Sequence, residues 1–248
     1  MPLSTDSPDI RPTPARRVLV AAYKGGVGKT TLAIHLAAWS AAQGVDTVLA
    51  DCDLQHAALE WADRGASRNT TRLRVVEGAD PLQGVGQSWS SQVSPLVERV
   101  VVDTPAGLRP HHLSAYVRRS DVVLVPLQPS TIDTATTRRF VAELLRMPEV
   151  AQRGVRIALV ANRARARTLS LRHLAGEADT LGAPMVAAIR DAQAYVMAIA
   201  LGRSVFDIPS PRLDPLREEW LPLLTWLGWR PAERAIDLHA NPSTLATT

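Results

Sequence analysis

Of the chain's 28 basic residues only two are lysines, Lys24 and Lys29, and both fall in Lys24-Gly25-Gly26-Val27-Gly28-Lys29-Thr30-Thr31. Everywhere else the basic residue is arginine, a planar fork, whereas lysine is a compact point charge on a thin stem. Lysine kept only inside a glycine-rich loop points to a site too tight for a guanidinium. Gly25, Gly26 and Gly28 allow backbone angles that turn successive N–H groups, those of Val27 and Thr31 among them, toward one anion. A helix beginning near Lys29 adds its positive dipole end. The chemistry this implies is triphosphate binding, with Lys29 bridging the β- and γ-phosphates and the Thr30 hydroxyl on Mg²⁺.

Carboxylates recur downstream at strand ends. Thr47-Val48-Leu49-Ala50 reads as a strand leading into Asp51-Cys52-Asp53-Leu54-Gln55. Strand alternation predicts Asp51 and Asp53 on one side, at the carboxyl end of the sheet, where open α/β sheets bind ligands. The competing interpretation is that the aspartates merely begin a helix, since aspartate is a good N-cap. A third run, Arg99-Val100-Val101-Val102, reads as a buried strand ending in an acid, Asp103, and a turn.

These residues need a frame. A strand over Arg17–Ala22, the loop, and a helix over Thr31–Gln43 stopped by Gly44 give the strand–loop–helix context of a phosphate-binding loop. Further strands are predicted over 73–76, 121–127, 155–161 and 184–189. Helices are predicted over 55–64, 81–97, 110–118, 131–146, 168–181, 191–202 and 212–227. Such β–α alternation in 248 residues, 46% of them hydrophobic, predicts a single α/β domain. Its expected form is a mostly parallel, twisted sheet with helices on both faces. The domain is placed at 16–229. Residues 1–15, with four prolines, and the polar residues 230–248 read as disordered tails, leaving no room for an amino-terminal helix-turn-helix. No membrane span or signal peptide is visible, and a single cysteine, Cys52, excludes a disulfide framework, which together point to the cytoplasm. The formal charge of +4 is compatible with nucleic acid but does not by itself select it.

The loop departs from G-x-x-x-x-G-K-[ST], having Tyr23 at the first glycine position and a lysine before the double glycine. In this it resembles the deviant Walker A motif of the ParA/MinD family of P-loop ATPases. The segments Asp53–Gly65, Pro126–Asp133 and Arg190–Asp207 are similar, in the same order, to the short, ParF-like partition ATPases. The resemblance implies that Lys24 reaches across a dimer interface to the partner's ATP and that Asp53 orients the attacking water. It implies that Asp51 and Asp103 join Thr30 around Mg²⁺. Leu54 stands where the family usually has proline. The family's asparagine after the next strand, here Asn162, would read adenine; a side-chain amide can donate and accept at that edge, although asparagine also simply suits loops.

The function implied is an ATPase with a weak intrinsic rate that forms an ATP-dependent homodimer on nonspecific DNA of the nucleoid. A ParB-like or cargo-adaptor partner would stimulate hydrolysis, so that a plasmid, chromosome locus or protein assembly is positioned. Arg163, Arg165, Arg167 and Arg172, with Arg190 and Arg203, are the candidate DNA contacts. Two alternatives use the same fold: a dethiobiotin synthetase-like ligase, and a MinD-like ATPase held to membrane through Leu216–Trp229. Pro222, Glu218 and Glu219 argue against a membrane-surface helix, and packing on the core is expected instead.

Overall fold

Uninterrupted runs such as Val18–Val20, Val100–Val102 and Val122–Val125 must be covered on both sides, which a parallel sheet between helical layers provides. The structure, a computed structural model, describes residues 16–65, 71–78, 94, 96–108, 110–165, 168–180 and 182–229. Seven strands form one sheet: β1 (Arg17–Val20), β2 (Thr47–Asp51), β3 (Leu73–Glu77), β4 (Arg99–Asp103), β5 (Val122–Leu127), β6 (Arg156–Ala164) and β7 (Met185–Arg190). Their order is β3-β2-β4-β1-β5-β6-β7, and every pairing is parallel. The expected fold class is observed. The described helices are α1 (Lys29–Ala42), α2 (Ala57–Arg64), α3 (Pro110–Val117), α4 (Thr131–Arg146), α5 (Pro148–Arg153), α6 (Leu169–Thr180), α7 (Gln193–Ala200), α8 (Asp214–Glu218) and α9 (Leu221–Trp226). The tails 1–15 and 230–248 lie outside the described residues. So does the expected 81–97 helix, apart from residues 94, 96 and 97, which are not helical.

Strand alternation divides the interior in two. Val18 and Val20 face a cluster with Leu32, Leu36, Trp61, Trp220 and Leu224. Leu19 faces the opposite one, with Val102, Val123, Tyr116, Phe140 and Leu144. Helix α1 is buried over most of its length because the carboxyl-terminal segment covers its outer side. Trp220, Leu223, Leu224, Leu227 and Trp229 are all almost completely buried. The Arg99 guanidinium closes this seam, 4.5 Å from the Trp229 ring centroid and 6.0 Å from that of Trp39, and Trp39 stacks on Trp229.

Three details depart from expectation. The 212–227 segment is not one helix: a 3₁₀ turn (Pro211–Leu213) is followed by α8 and α9, each with proline at its start. Proline has no N–H to donate, so it begins helices and breaks their interiors. Helix α5 was not expected; it starts on Pro148 for the same reason. Strand β6 runs through Asn162 to Ala164 instead of closing at Asn162, with a register shift against β7 between Ala161 and Ala164. Most of the apolar residues that made 216–229 resemble a membrane helix are buried in the core, Leu221 being exposed. No helix among the described residues is long and apolar enough to cross a membrane.

Candidate nucleotide site

The glycine loop joins β1 to α1 at the point where the chain's progress across the sheet reverses. Val20, at the end of β1, is level with Asp103, and Asp103 is level with Asp51 on β2. The loop therefore hangs over the carboxyl ends of adjoining strands, the position that parallel sheets use for ligands. Gly26 and Gly28 have φ of 74° and 91°, left-handed values that L side chains rarely adopt. Gly28 is the N-cap of α1; no side chain caps this helix end, and no acid lies in its first turn. The first N–H groups of α1 thus have no anionic side chain competing for them.

Lys29 is 6% exposed; burial lowers its pKa, while Asp103 and Asp53 oppose that shift. Asp103 is wholly buried, and neither carboxylate oxygen makes a hydrogen bond of full geometry among the described residues. Burial pushes its pKa up to about 7, the Thr30 hydroxyl and Lys29 pull it down, and Asp51 and Asp53 push it up further. A buried acid with no donor is costly unless something positive completes it. With the Thr30 hydroxyl beside it, the oxygen donors suit a hard, oxygen-seeking Mg²⁺. Thr104 ties this strand end to its neighbour by donating to the Val20 carbonyl at 2.9 Å.

Asp51 lies at the carboxyl end of β2, as expected, and its carboxylate holds backbone N–H groups. Its Oδ2 accepts the N–H groups of Ala58 (2.9 Å) and Leu59 (3.1 Å), and its Oδ1 accepts that of Asp53 (3.1 Å). This is the competing reading of the aspartates, realised at Asp51: it secures the start of α2. Nor do the two acids share one strand. β2 ends at Asp51, and Asp53 sits in the following turn, half-buried, accepting from the Gln55 N–H at 3.0 Å. His56 makes that turn possible with φ of 49°. Its electrostatic effect on Lys29 and Asp103 places Asp53 within their reach. Lys24 and Tyr23 are exposed on the lip of the loop.

Asn162 is held within the protein. The side-chain amide expected to read adenine is turned against the loop: Nδ2 donates to the Val27 carbonyl at 2.8 Å, and Oδ1 accepts the Arg163 N–H at 3.0 Å. A Cβ on Gly28 would lie 2.0 Å from that Nδ2. Gln128, which sequence reasoning did not single out as a site residue, donates through Nε2 to the Gly26 carbonyl at 3.3 Å. Its place just past β5, within the Pro126–Asp133 segment, is the sequence signal it carries.

The arginines are only partly brought together. Arg163 and Arg165 are exposed at the end of β6, and Arg190 is level with Ala164 at the end of β7. Arg190 is ion-paired with Glu219. Arg172 is exposed on α6, and Arg167 lies outside the described residues. Arg203 lies apart from the cluster, beyond the far end of α7, a helix of eight residues or roughly 12 Å. There its carbonyl accepts the Trp61 indole N–H at 3.0 Å. The five described arginines are thus spread over the ends of β6 and β7, α6 and the far end of α7.

A glycine loop capping a buried helix end beside a lysine and a buried acid, on a parallel sheet, defines a P-loop nucleotide-binding protein. The family profile described as the CobQ/CobB/MinD/ParA nucleotide-binding domain matches residues 18–205, and the chain belongs to that family. Among its relatives is the maintenance of carboxysome distribution protein A of Halothiobacillus neapolitanus, 28% identical over 192 residues, 76% of this chain and 86% of that protein. Another is protein ParA of Rhizobium radiobacter, 29% identical over 58% of this chain and 62% of that protein. A putative plasmid partition protein of Borrelia burgdorferi, bound to AMPPNP, has the same fold, with TM-score 0.65 at 18% identity over 87% of this chain and 99% of that one. Aquifex aeolicus MinD in complex with MinC gives 0.64 at 18% identity over 86% and 96%.

Proposed function

We propose that this chain is a nucleotide-switched ATPase that dimerises around ATP, binds DNA without regard to sequence, and positions a cargo. The observation that carries the proposal is Asp103. A wholly buried acid whose oxygens make no hydrogen bond of full geometry, with only the Thr30 hydroxyl and Lys29 beside it under an uncapped helix end, would suit a Mg²⁺–triphosphate site. The bound ion would neutralise phosphate charge. Lys29 and the loop N–H groups hold the phosphates, Thr30 and Asp103 are the residues that would hold the ion, and Asp51 steadies the turn carrying Asp53. Asp53 would orient a water toward the γ-phosphate. Lys24, exposed on the lip, is placed to act outside its own subunit, so that assembly and nucleotide state are coupled.

Relatives named for carboxysome distribution and for plasmid partition support cargo positioning in general. The exposed Arg163 and Arg165 supply the kind of charge that binds phosphate backbones. Hydrolysis is measured with nucleotide alone, with nonspecific duplex DNA, and with DNA plus the cognate partner. Stimulation that requires DNA and partner together supports the proposal. A rate indifferent to both, but raised by a small carboxylate or amine substrate, would instead favour the ligase alternative.

A further inference from the structure

The loop is gripped from outside by two side-chain amides on neighbouring strands. Gln128, just past β5, donates to the carbonyl of Gly26, and Asn162, near the end of β6, donates to the carbonyl of Val27. In a trans peptide the C=O and the following N–H point in opposite directions across one rigid plane. Pulling the Gly26 carbonyl one way turns the Val27 N–H the other way; holding the Val27 carbonyl does the same for the Gly28 N–H. These are N–H groups that a phosphate-binding loop must aim at its anion. We infer that Asn162 and Gln128 are positioning residues that fix the peptide planes of the loop before nucleotide arrives, Asn162 being the stronger.

Three further observations support Asn162 as a brace. It is 7% exposed, so its partners are chosen within the protein. Strand β6 loses register with β7 between Ala161 and Ala164, the interval that contains it. Arg163, the next residue, is held at φ of 51° and donates its N–H to the Asn162 Oδ1. Irregularities of this kind beside functional sites re-aim a side chain. The clearance at Gly28, where a Cβ would collide with the Asn162 amide at 2.0 Å, shows how closely loop and brace fit. Orienting donors in advance spares the cost of ordering them on binding.

This inference rests on the triphosphate reading of the loop, and the test keeps the two apart. Dissociation constants for ATP, GTP and inorganic tripolyphosphate, each with Mg²⁺, are measured on wild type, Asn162→Ala, Gln128→Ala and the double variant. A brace acts on phosphate alone. Asn162→Ala should therefore weaken all three ligands by a similar factor, about 3- to 10-fold for one neutral hydrogen bond, leaving the ATP-to-GTP ratio unchanged. Gln128→Ala, at a half-buried position where folding is not at stake, should give the same base-blind loss by a smaller factor. Loss confined to ATP on Asn162→Ala would overturn the inference in favour of adenine recognition. Unchanged affinities in both single variants would overturn it as well. Wild type that binds none of the three would sink the triphosphate reading itself. Melting temperatures without ligand, measured in parallel, separate damage to the fold from loss of loop order.

Discussion

Asp103 connects the chemistry of the site to the stability of the fold. Its pKa in the fold is about 7, against 3.8 for an unperturbed aspartate. The folded state therefore holds a proton that the unfolded chain has released between those values. The contribution of Asp103 to stability is greatest below about pH 4 and falls as pH rises toward 7, by about 4 kcal/mol at the limit. Asp103→Asn removes this loss. The nucleotide-free variant should melt above wild type at pH 8, and the gap should close as pH falls to 5. ATP with Mg²⁺ should raise the wild-type melting temperature at pH 8 far more than that of the variant. A wild-type melting temperature that does not fall between pH 5 and 8 relative to the variant would show that Asp103 is not desolvated in solution. Asp53 permits a separate test. Asp53→Ala should bind ATP near wild-type affinity yet hydrolyse it at least 100-fold more slowly, the scale on which an aligned catalytic group acts. Rapid phosphate release by that variant would remove Asp53 from the chemistry.

Helix α1 carries the loop, and the carboxyl-terminal segment holds α1 through aromatic contacts. His35, one turn past the loop, is completely buried; its ring lies 5.4 Å from Trp220 in a stacked pair and 5.1 Å from Tyr195 edge-on. Nδ1 lies 2.8 Å from the Thr31 carbonyl, while Nε2 has no hydrogen-bond partner among the described residues. Burial lowers its pKa to about 4 from 6.5. Here the sign is opposite to that of Asp103. The unfolded chain takes up a proton below pH 6.5 that the fold refuses until about pH 4, so stability is lost as pH falls through that window. The limit is about 3 kcal/mol. His35→Phe should flatten the decline in melting temperature between pH 6.5 and 4.5; an unchanged decline would place the acid sensitivity elsewhere. Little of this was legible beforehand. Strands β1, β4 and β5 were legible because branched apolar runs leave no other option, and the loop because glycines, lysines and threonines meet between a strand and a helix. The division of 212–227, the extension of β6 and the inward turn of Asn162 are decided by what packs against them. Asp51 shows the same limit: spacing placed it at the site, but donors seven and eight residues later determine what its carboxylate holds.

For the whole molecule, the question is whether one subunit completes the site of another. Lys24 sits exposed on the lip of a loop whose own lysine, Lys29, is buried against two acids. One subunit already supplies Lys29 and the loop N–H groups, so Lys24 adds most when a second set of phosphates approaches it. Lys24→Ala, made in the slowly hydrolysing Asp53→Ala background, should bind ATP within a few-fold of its parent. It should elute as a monomer at ATP concentrations that make the parent a dimer. DNA affinity should fall along with the dimer, since the exposed Arg163 and Arg165 of two subunits then no longer act together. Arg163→Ala with Arg165→Ala should reverse the pattern, leaving ATP binding and dimerisation intact while weakening DNA binding. Each phosphate contact contributes about 0.9 to the slope of log affinity against log salt on duplex DNA, so a dimer that loses such contacts should show a visibly shallower slope. A Lys24→Ala protein that still dimerises with ATP would confine Lys24 to its own subunit. Arginine variants with an unaltered salt slope would move the DNA contact away from the end of β6.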